Sequence, residues 1–353
     1  MPWPPDAVLV GWDIGGAHVK ACRVEAGEVR DIAQWPCPLW QGLHHLDAVL
    51  GQARQRWPQA WSREGRHVAT MTGEMVDLFP DRAHGVAQLA AHLAERLGPT
   101  LRLYAGPGRW VAPHDGAASW QAIASANWRA TAQWLAPRVR EAVLVDIGST
   151  TTDLIALRDG AIAARGASDA ERLASGELVY QGVVRTPLCA LAPRVPFGGQ
   201  VVNVMHEFFA TTADVYRLTG ELDPAHDQQP TADGQPKDLP ATRRRLARMV
   251  GRDALDALPA QWLELAQAWR TAQLEDIAGQ FARVAEDAGV GADAPVIGAG
   301  CGAFLAAALA ARAGRRYRRF AQCAPQGPAD PFEYWADVCA PAVAVALLAA
   351  GGD

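Results

Sequence analysis

The residues "GWDIGGAHVK", 11 to 20, follow the apolar run "AVLV" and set Asp13 ahead of two glycines, Gly15 and Gly16, and a base, Lys20. An acid at a strand end followed by two glycines suits a turn that lets a ligand approach the backbone. Main-chain amides in such a turn can also point at an anion. The order is neither G-x-G-x-x-G nor G-x-x-x-x-G-K-[ST], so the dinucleotide fingerprint and the P-loop do not apply. Taken alone, the turn reads equally well as a tight hairpin with an acid at its edge. A second copy changes that balance. Residues 142–154, "AVLVDIGSTTTDL", repeat the "AVLV" and set Asp146, Ile147 and Gly148 ahead of four hydroxyls, Ser149, Thr150, Thr151 and Thr152. A third apolar run, "APVIGAGCGAFLAAAL" at 294–309, reads as strand, small-residue turn (Gly298, Ala299, Gly300, Cys301) and helix. Two strand–Asp–x–Gly turns about 133 residues apart predict two similar halves facing each other.

The elements that must position these turns follow from periodicity. Residues 7–35 read as a β-meander with Gly27 in its second turn, followed by a helix over 37–57. A strand over 67–75 ends in "TGEM", and a helix over 81–98 is closed by Gly98 and Pro99. "LRLYAGPGRWV" (101–111) reads as one strand and 116–139 as one helix. The second half restarts with the strand at 142 and a hairpin to 166. A strand then leads into a helix over 197–220. Residues 223–240 are a polar loop excursion without period. Helices fill 241–289, the last strand starts at 295, and a terminal helix, 332–353, is interrupted by Pro341. The alternation makes the chain α/β. It divides into a first domain over 1–138, on which the terminal helix is placed to pack back, and a second over 139–331.

The 353 residues suffice for two cores, and half of them are hydrophobic. A net charge of −5 and a pI near 6.0 give nucleic-acid binding no electrostatic support. The basic clusters Arg243–Arg245 and Arg315–Arg319 read as solvated helix faces or helix C-termini. Six scattered cysteines without a C-x-x-C pair argue against a zinc site or a disulfide framework. "MPWPPD" does not resemble a signal peptide, and 303–311 and 340–350 fall short of the ~18 residues that span a bilayer. The expected setting is cytoplasmic, with small-molecule substrates and no membrane or nucleic-acid partner. The thirteen tryptophans read as core and cleft filling.

The trio "DIGGAHVK", "DIGSTTTDL" and "IGAGCGA" resembles the acetate-kinase, sugar-kinase and actin superfamily, in which two ribonuclease-H-like domains close over a phosphorylated ligand. "TMTGEMVDLFPDRAHGV", "ASANWRATA", "GELVYQGVVRTPLCAL" and "EFFATTADVYRLTG" resemble more closely the hydantoinase/oxoprolinase-related proteins linked to tetrahydromethanopterin-dependent one-carbon transfer. That group includes the synthases of methanofuran and methylofuran biosynthesis. The resemblance implies a transferase that joins an (aminomethyl)furanylmethyl diphosphate to the phenol of a γ-glutamyltyramine- or tyrosine-type acceptor, releasing diphosphate. An ATP-dependent kinase, an oxoprolinase-type hydrolase and a non-catalytic nucleotide sensor remain alternatives.

Such a reaction must neutralise the leaving diphosphate, shield the furfuryl carbon from water and deprotonate a phenol of pKa about 10. On this reading the amides of Gly15, Gly16 and Ala17 form one anion nest and those of Gly148 to Thr151 a second. Ser149, Thr150, Thr151 and Thr152 add hydroxyl donors. Asp13 and Asp146 hold Mg2+ or Mn2+ between the phosphates. Lys20 is either a further positive contact or an outward strand residue, and His18 either donates to a phosphate or packs. Glu74 is the candidate base, against the alternative of a helix N-terminal acid, for which Asp77 is the better fit. Asn127 and Trp128 are placed in the furan pocket, Glu177 and Arg185 as ligand contacts. Gly298, Ala299, Gly300 and Cys301 line a nucleotide-like pocket that does not require ATP to be consumed.

Overall fold

In the computed structural model, which describes residues 7–324 and 333–351, the chain begins β1 (Leu9–Ile14), β2 (His18–Glu25), β3 (Glu28–Pro36), α1 (His44–Arg56), β4 (Arg66–Met71), α2 (Arg82–Leu97), β5 (Arg102–Tyr104), β6 (Trp110–Val111), α3 (Trp120–Ile123) and α4 (Asn127–Leu135). It continues β7 (Glu141–Ile147), β8 (Thr152–Arg158), β9 (Ala161–Ile162), α5 (Asp169–Ser175), β10 (Leu178–Val179), β11 (Arg194–Phe197), β12 (Gln200–Asn203), α6 (Thr212–Thr219) and α7 (Leu239–Met249). It closes with α8 (Pro259–Asp287), β13 (Val296–Ala299), α9 (Ala303–Arg312), β14 (Tyr317–Arg319), α10 (Glu333–Val338) and α11 (Ala340–Ala350). Two compact units result. One comprises the described residues within Met1–Glu141, Leu157–Ile162 and Arg319–Asp353, the other Ala142–Ala156 and Ala163–Arg318.

The first unit is built on a sheet of order β3-β2-β1-β4-β5-β6. β1 pairs antiparallel with β2 and parallel with β4. Every residue of β1 is buried, which is why "LVGWDI" carries no polar alternation. Val10, Trp12 and Ile14 join Leu46 and Val49 of α1 and Val86, Leu89 and Leu93 of α2 in one core. The opposite face is covered by α11. A Cβ on Gly11 would stand 2.5 Å from the Ala342 carbonyl oxygen and 2.7 Å from the Ala346 Cβ. Gly11 therefore serves helix packing. Pro341 lies in the first turn of α11, where a missing N–H is harmless, so the interruption falls between α10 and α11. Residues 332, 352 and 353 of the expected terminal helix, and the segment "MPWPPD", lie outside the described residues.

Three local expectations change in this unit. The single strand over 101–111 is the hairpin β5–β6, turned by Gly106 (φ 105°) and Gly108 (φ 64°). The helix over 116–139 is broken between α3 and α4 at Ser125, which sits at φ 50°. The strand at 67–75 stops at Met71, and Gly73–Met75 form a 3-10 turn.

The second unit carries a sheet of order β10-β8-β7-β13-β14, and β13 runs parallel to β7. The expected loop at 223–240 is irregular up to Asp238, but buried charges fasten it. Arg245 donates to Asp214 at 2.8 Å and to Asp233 at 3.1 Å, Arg217 binds Asp214 and Asp227, and Lys237 lies 3.0 Å from Asp227. Burial pushes the Asp214 carboxyl above its ordinary pKa, and Arg217 and Arg245 oppose that shift. Arg245 is fully buried, contrary to the solvated-face expectation for Arg243–Arg245. Within 315–319, Arg315 closes the C-terminal end of α9 by donating its amide to the Ala310 carbonyl, as the helix-C-terminus reading expects, while Tyr317–Arg319 form a strand that pairs with β13. Trp12, Trp57, Trp134, Trp262 and Trp269 are fully buried, and the six cysteines are free thiols. Among the described residues no helix is long and apolar enough to cross a membrane.

Candidate functional site

Asp13 is the penultimate residue of β1 and is 3% exposed. Antiparallel register sets it opposite Lys20, whose Nζ lies 3.7 Å from Asp13 Oδ2. Lys20 thus faces the acid rather than standing off as an outward strand residue. The turn beyond Asp13 closes when the Gly15 amide donates to the His18 carbonyl at 3.0 Å. This corrects the expected nest, because the Gly15 N–H is spent inside the turn. Gly16 and Ala17 accept, through their carbonyls, from Leu39 and Cys37. A Cβ on Gly15 would stand 2.8 Å from the His18 oxygen, and one on Gly16 2.8 Å from Val76 Cγ1. His18 is buried at the start of β2.

The second segment of this unit brought to the turn is "TGEM". Parallel pairing of β1 with β4 carries on past the strands, and the Thr72 amide donates to the Ile14 carbonyl at 3.0 Å. A Cβ on Gly73 would lie 3.1 Å from that same oxygen, so glycine lets the two turns touch. Glu74 follows in the 3-10 turn and is 1% exposed. The Ser125 hydroxyl donates to Glu74 Oε1 at 2.9 Å. Behind Glu74 stands Gly85 of α2, where a Cβ would come within 2.3 Å of the Glu74 carbonyl oxygen. Glu74 does not cap α2. Asp81 does so by accepting from the His84 amide, while Asp77 is exposed in the preceding loop.

The furan-pocket expectation fares differently. Asn127 opens α4 and its Oδ1 accepts from the Trp128 amide at 2.7 Å. Trp128 is 3% exposed, and the Arg129 guanidinium sits 5.1 Å from its ring centroid. The Trp128 ring thus already meets a cation of the protein's own.

The second unit repeats the first turn in its hydrogen bonding, since the Gly148 amide donates to the Thr151 carbonyl at 2.8 Å. That amide, like the one at Gly15, is unavailable to an anion. Residues 181–185 wrap this turn. Val183 donates to the Gly148 carbonyl, Val184 and Arg185 donate to that of Ser149, and a Cβ on Gly182 would stand 2.4 Å from the Thr150 nitrogen. The Arg185 guanidinium donates to the Thr150 hydroxyl at 3.3 Å, and Ser149 and Thr150 Oγ atoms lie 3.4 Å apart. Burial lowers the Arg185 pKa from its ordinary value, yet a guanidinium remains charged. Thr152, expected among the phosphate donors, is fully buried and gives its hydroxyl proton to the Gln181 carbonyl at 2.7 Å.

Two further expectations meet bonds within the protein. Glu177 is one of them. Its carboxylate accepts from the Arg165 and Gly166 amides and the Ser175 hydroxyl, at 2.6, 2.8 and 2.8 Å, and so organises the loop before α5. Gly298 lies within β13, where a Cβ would overlap the Tyr317 hydroxyl at 2.4 Å, and Ala299 is buried opposite Asp146 in the ladder. Gly300 belongs to the turn that meets β7. At φ 80° a Cβ there would stand 2.1 Å from the Ile147 oxygen and 2.6 Å from Asp146 Oδ1. Cys301 beside it is a half-buried free thiol. Asp13 and Asp146 are hard oxygen donors, one per turn. The described residues hold no group of three or more His, Cys, Asp or Glu able to cage a metal. Each carboxylate by itself is the kind of hard oxygen donor that an ion such as Mg2+ takes, with water and phosphate oxygens in the rest of its shell.

Sequence reasoning passed over Ser125, Gly85 and Gly182. Gly182 stands in the quoted segment "GELVYQGVVRTPLCAL", where the dipeptide "QG" interrupts an apolar run, and that was its one visible signal.

Comparison with known proteins adds four findings. The family model for hydantoinase/oxoprolinase matches residues 66–320. A curated protein of Methanocaldococcus jannaschii, (4-{4-[2-(gamma-L-glutamylamino)ethyl]phenoxymethyl}furan-2-yl)methanamine synthase, is 29% identical over 248 residues, covering 70% of this chain and 72% of that protein. The protein of the same name from Methanococcus vannielii is 37% identical over 114 residues, 32% of this chain and about half, 51%, of the relative. Among solved structures, nucleotide-free acetone carboxylase superposes with a TM-score of 0.53 at 10% identity, over 98% of this chain and 70% of that one. The fold is α/β, of the acetate-kinase/sugar-kinase/actin type, as the motif order implied.

Proposed function

We propose that this chain, which belongs to the hydantoinase/oxoprolinase family, is a transferase of methanofuran- or methylofuran-type cofactor biosynthesis, condensing an (aminomethyl)furanylmethyl diphosphate with a phenolic acceptor. The substrate class comes from the two curated relatives, whose names describe a phenoxymethyl-furan product. The observation that carries the chemistry is that the buried Glu74 carboxylate lies on a turn hydrogen-bonded to the end of the Asp13 strand. A proton acceptor and an acid suited to a phosphate-bound metal thereby occupy adjoining turns of one unit.

In the proposed reaction the bond between the furfuryl carbon and the diphosphate oxygen breaks, and the bond from that carbon to the phenol oxygen forms. The phenolic proton passes to Glu74, and inorganic diphosphate leaves. A buried carboxylate is a stronger base than one in water. Lys20 contributes positive charge beside Asp13, and Arg185 with Ser149 and Thr150 contributes donors on the second Asp-x-Gly turn. Asp13 and Asp146 are the residues assigned to Mg2+ or Mn2+, which when bound neutralises charge developing on the leaving diphosphate. ATP has no part in this balance.

The test is incubation with the furan diphosphate and γ-glutamyltyramine or tyrosine, with Mg2+ present and ATP absent, following diphosphate release and the ether by mass. Ether formation that stops on chelation is expected. Turnover that requires ATP, or hydrolysis of an amide without ether formation, overturns the proposal in favour of a kinase or an oxoprolinase-type hydrolase.

A further inference from the structure

We infer that Ser125 is a positioning residue for the Glu74 carboxylate, holding Oε1 through its hydroxyl. The inference rests on the reading of Glu74 as the base. Three observations support it. The hydroxyl donates to Glu74 Oε1 at 2.9 Å across 51 residues of sequence, so this is a tertiary contact and not a local turn. The acceptor is 1% exposed and the donor half-buried, so water competes little for the bond. Ser125 also sits at φ 50°, a conformation that L side chains rarely adopt.

The backbone observation separates Ser125 from its peers. Among the described residues the other non-glycine residues at positive φ are Ala26 and Asp159. Each of those precedes a positive-φ glycine in the two-residue turn of a β-hairpin, β2–β3 and β8–β9, where such dihedrals are the norm. Ser125 stands between two helices, where no hairpin demands it. A glycine would relieve that strain, whereas the serine that stands there places a hydroxyl on Glu74.

A donor on an ionised carboxylate stabilises the charged form, whereas burial destabilises it. Ser125 therefore opposes the effect of burial on Glu74 and favours its charged form. The charged and titratable groups on the elements packed around the 3-10 turn are Asp13, His18 and Lys20 from the β1–β2 hairpin, and Asp81, Arg82 and His84 at the start of α2. Each of these stays in place when Ser125 is changed.

Two variants divide the hydroxyl from the backbone. Ser125→Gly deletes the hydroxyl and relaxes the dihedral, while Ser125→Ala deletes the hydroxyl and keeps the strain. Each is expected to shift the acid limb of the kcat/KM profile to higher pH by roughly one unit. On the acid side of that limb the accompanying loss is about tenfold, the scale of one hydrogen bond to a charged group, and it vanishes on the plateau above. KM for the diphosphate is expected to hold, and Ser125→Gly is expected to unfold no earlier than the parent. Carbon-13 titration of the Glu74 carboxyl in both variants reads the same shift without turnover. A wild-type acid limb and an unmoved carboxyl titration in Ser125→Gly overturn the inference. So does a loss confined to one variant, which would place the effect in the backbone. Glu74→Gln, assayed alongside, isolates the premise. If it loses activity while the serine variants behave as wild type, only the role of Ser125 fails. If it turns over fully, the base assignment fails and Ser125 falls with it.

Discussion

Replacing Gly85 with alanine adds one methyl group where the structure has none to spare. Its Cβ would stand 2.3 Å from the Glu74 carbonyl oxygen, 2.8 Å from the Glu74 Cα and 2.9 Å from its carbonyl carbon. All three are main-chain atoms, so no side-chain rotation relieves the overlap. Helix and turn must part by about 0.7 Å merely to reach 3.0 Å, already tighter than nearly all real contacts. Alanine in a helix interior is otherwise favoured over glycine by about 1 kcal/mol, and overpacking of this kind costs about 1–3 kcal/mol. Net stability should therefore fall by no more than about 2 kcal/mol. The rate should suffer more, because a misplacement near 1 Å in a reacting group costs about 10²-fold. Gly85→Ala is expected to fold, unfold slightly earlier in urea and lose about two orders of magnitude in kcat. Gly51→Ala, in a helical position where a Cβ meets nothing within 4 Å, serves as the control and should be silent or stabilising. Wild-type turnover by Gly85→Ala together with raised stability would refute the packing of Glu74 against α2 as the device that places the carboxylate.

Glu74→Gln should lower the rate by about 10²-fold or more, with diphosphate binding retained and the deficit shrinking at high pH, where more acceptor is already phenolate. His67 accepts from the Trp12 indole at 3.2 Å, and burial lowers its pKa to about 4. Its unfolded value is about 6.5, so between pH 6.5 and 4 the unfolded chain binds the proton that the folded chain refuses. Stability should then fall as pH falls through that window, by at most about 1.4 kcal/mol per unit from this group. His67→Gln should flatten that limb in urea titrations taken across it. Arg245→Met should cost about 3 kcal/mol, because it takes one of two guanidinium partners from the buried Asp214. An unchanged urea midpoint would show that Arg217 suffices.

The sequence by itself determined what depends on neighbours in the chain. The two "DIG" turns were legible as a repeat, and each closes through an amide-to-carbonyl bond three residues long, Gly15 to His18 and Gly148 to Thr151. Such a bond needs only the local order of small residues. The unbroken apolar run of β1 announced a strand covered on both faces, since no solvent side was there to impose alternation. The fate of each polar group was decided elsewhere. Thr152 gives its hydroxyl to Gln181, 29 residues on, and so leaves the set of phosphate donors. Glu177 accepts from Arg165 and Gly166, and Arg245 disappears among Asp214 and Asp233, although a triplet of arginines reads as surface. Gly298 has no room for a Cβ because Tyr317 lies over it, 19 residues on. Ser125 looked like any serine in an interrupted helix until the fold set it on Glu74. Turns and periodicities are properties of adjacent residues. Satisfying a buried donor or acceptor depends on whichever distant segment packing delivers to it, and the tertiary structure alone makes that choice.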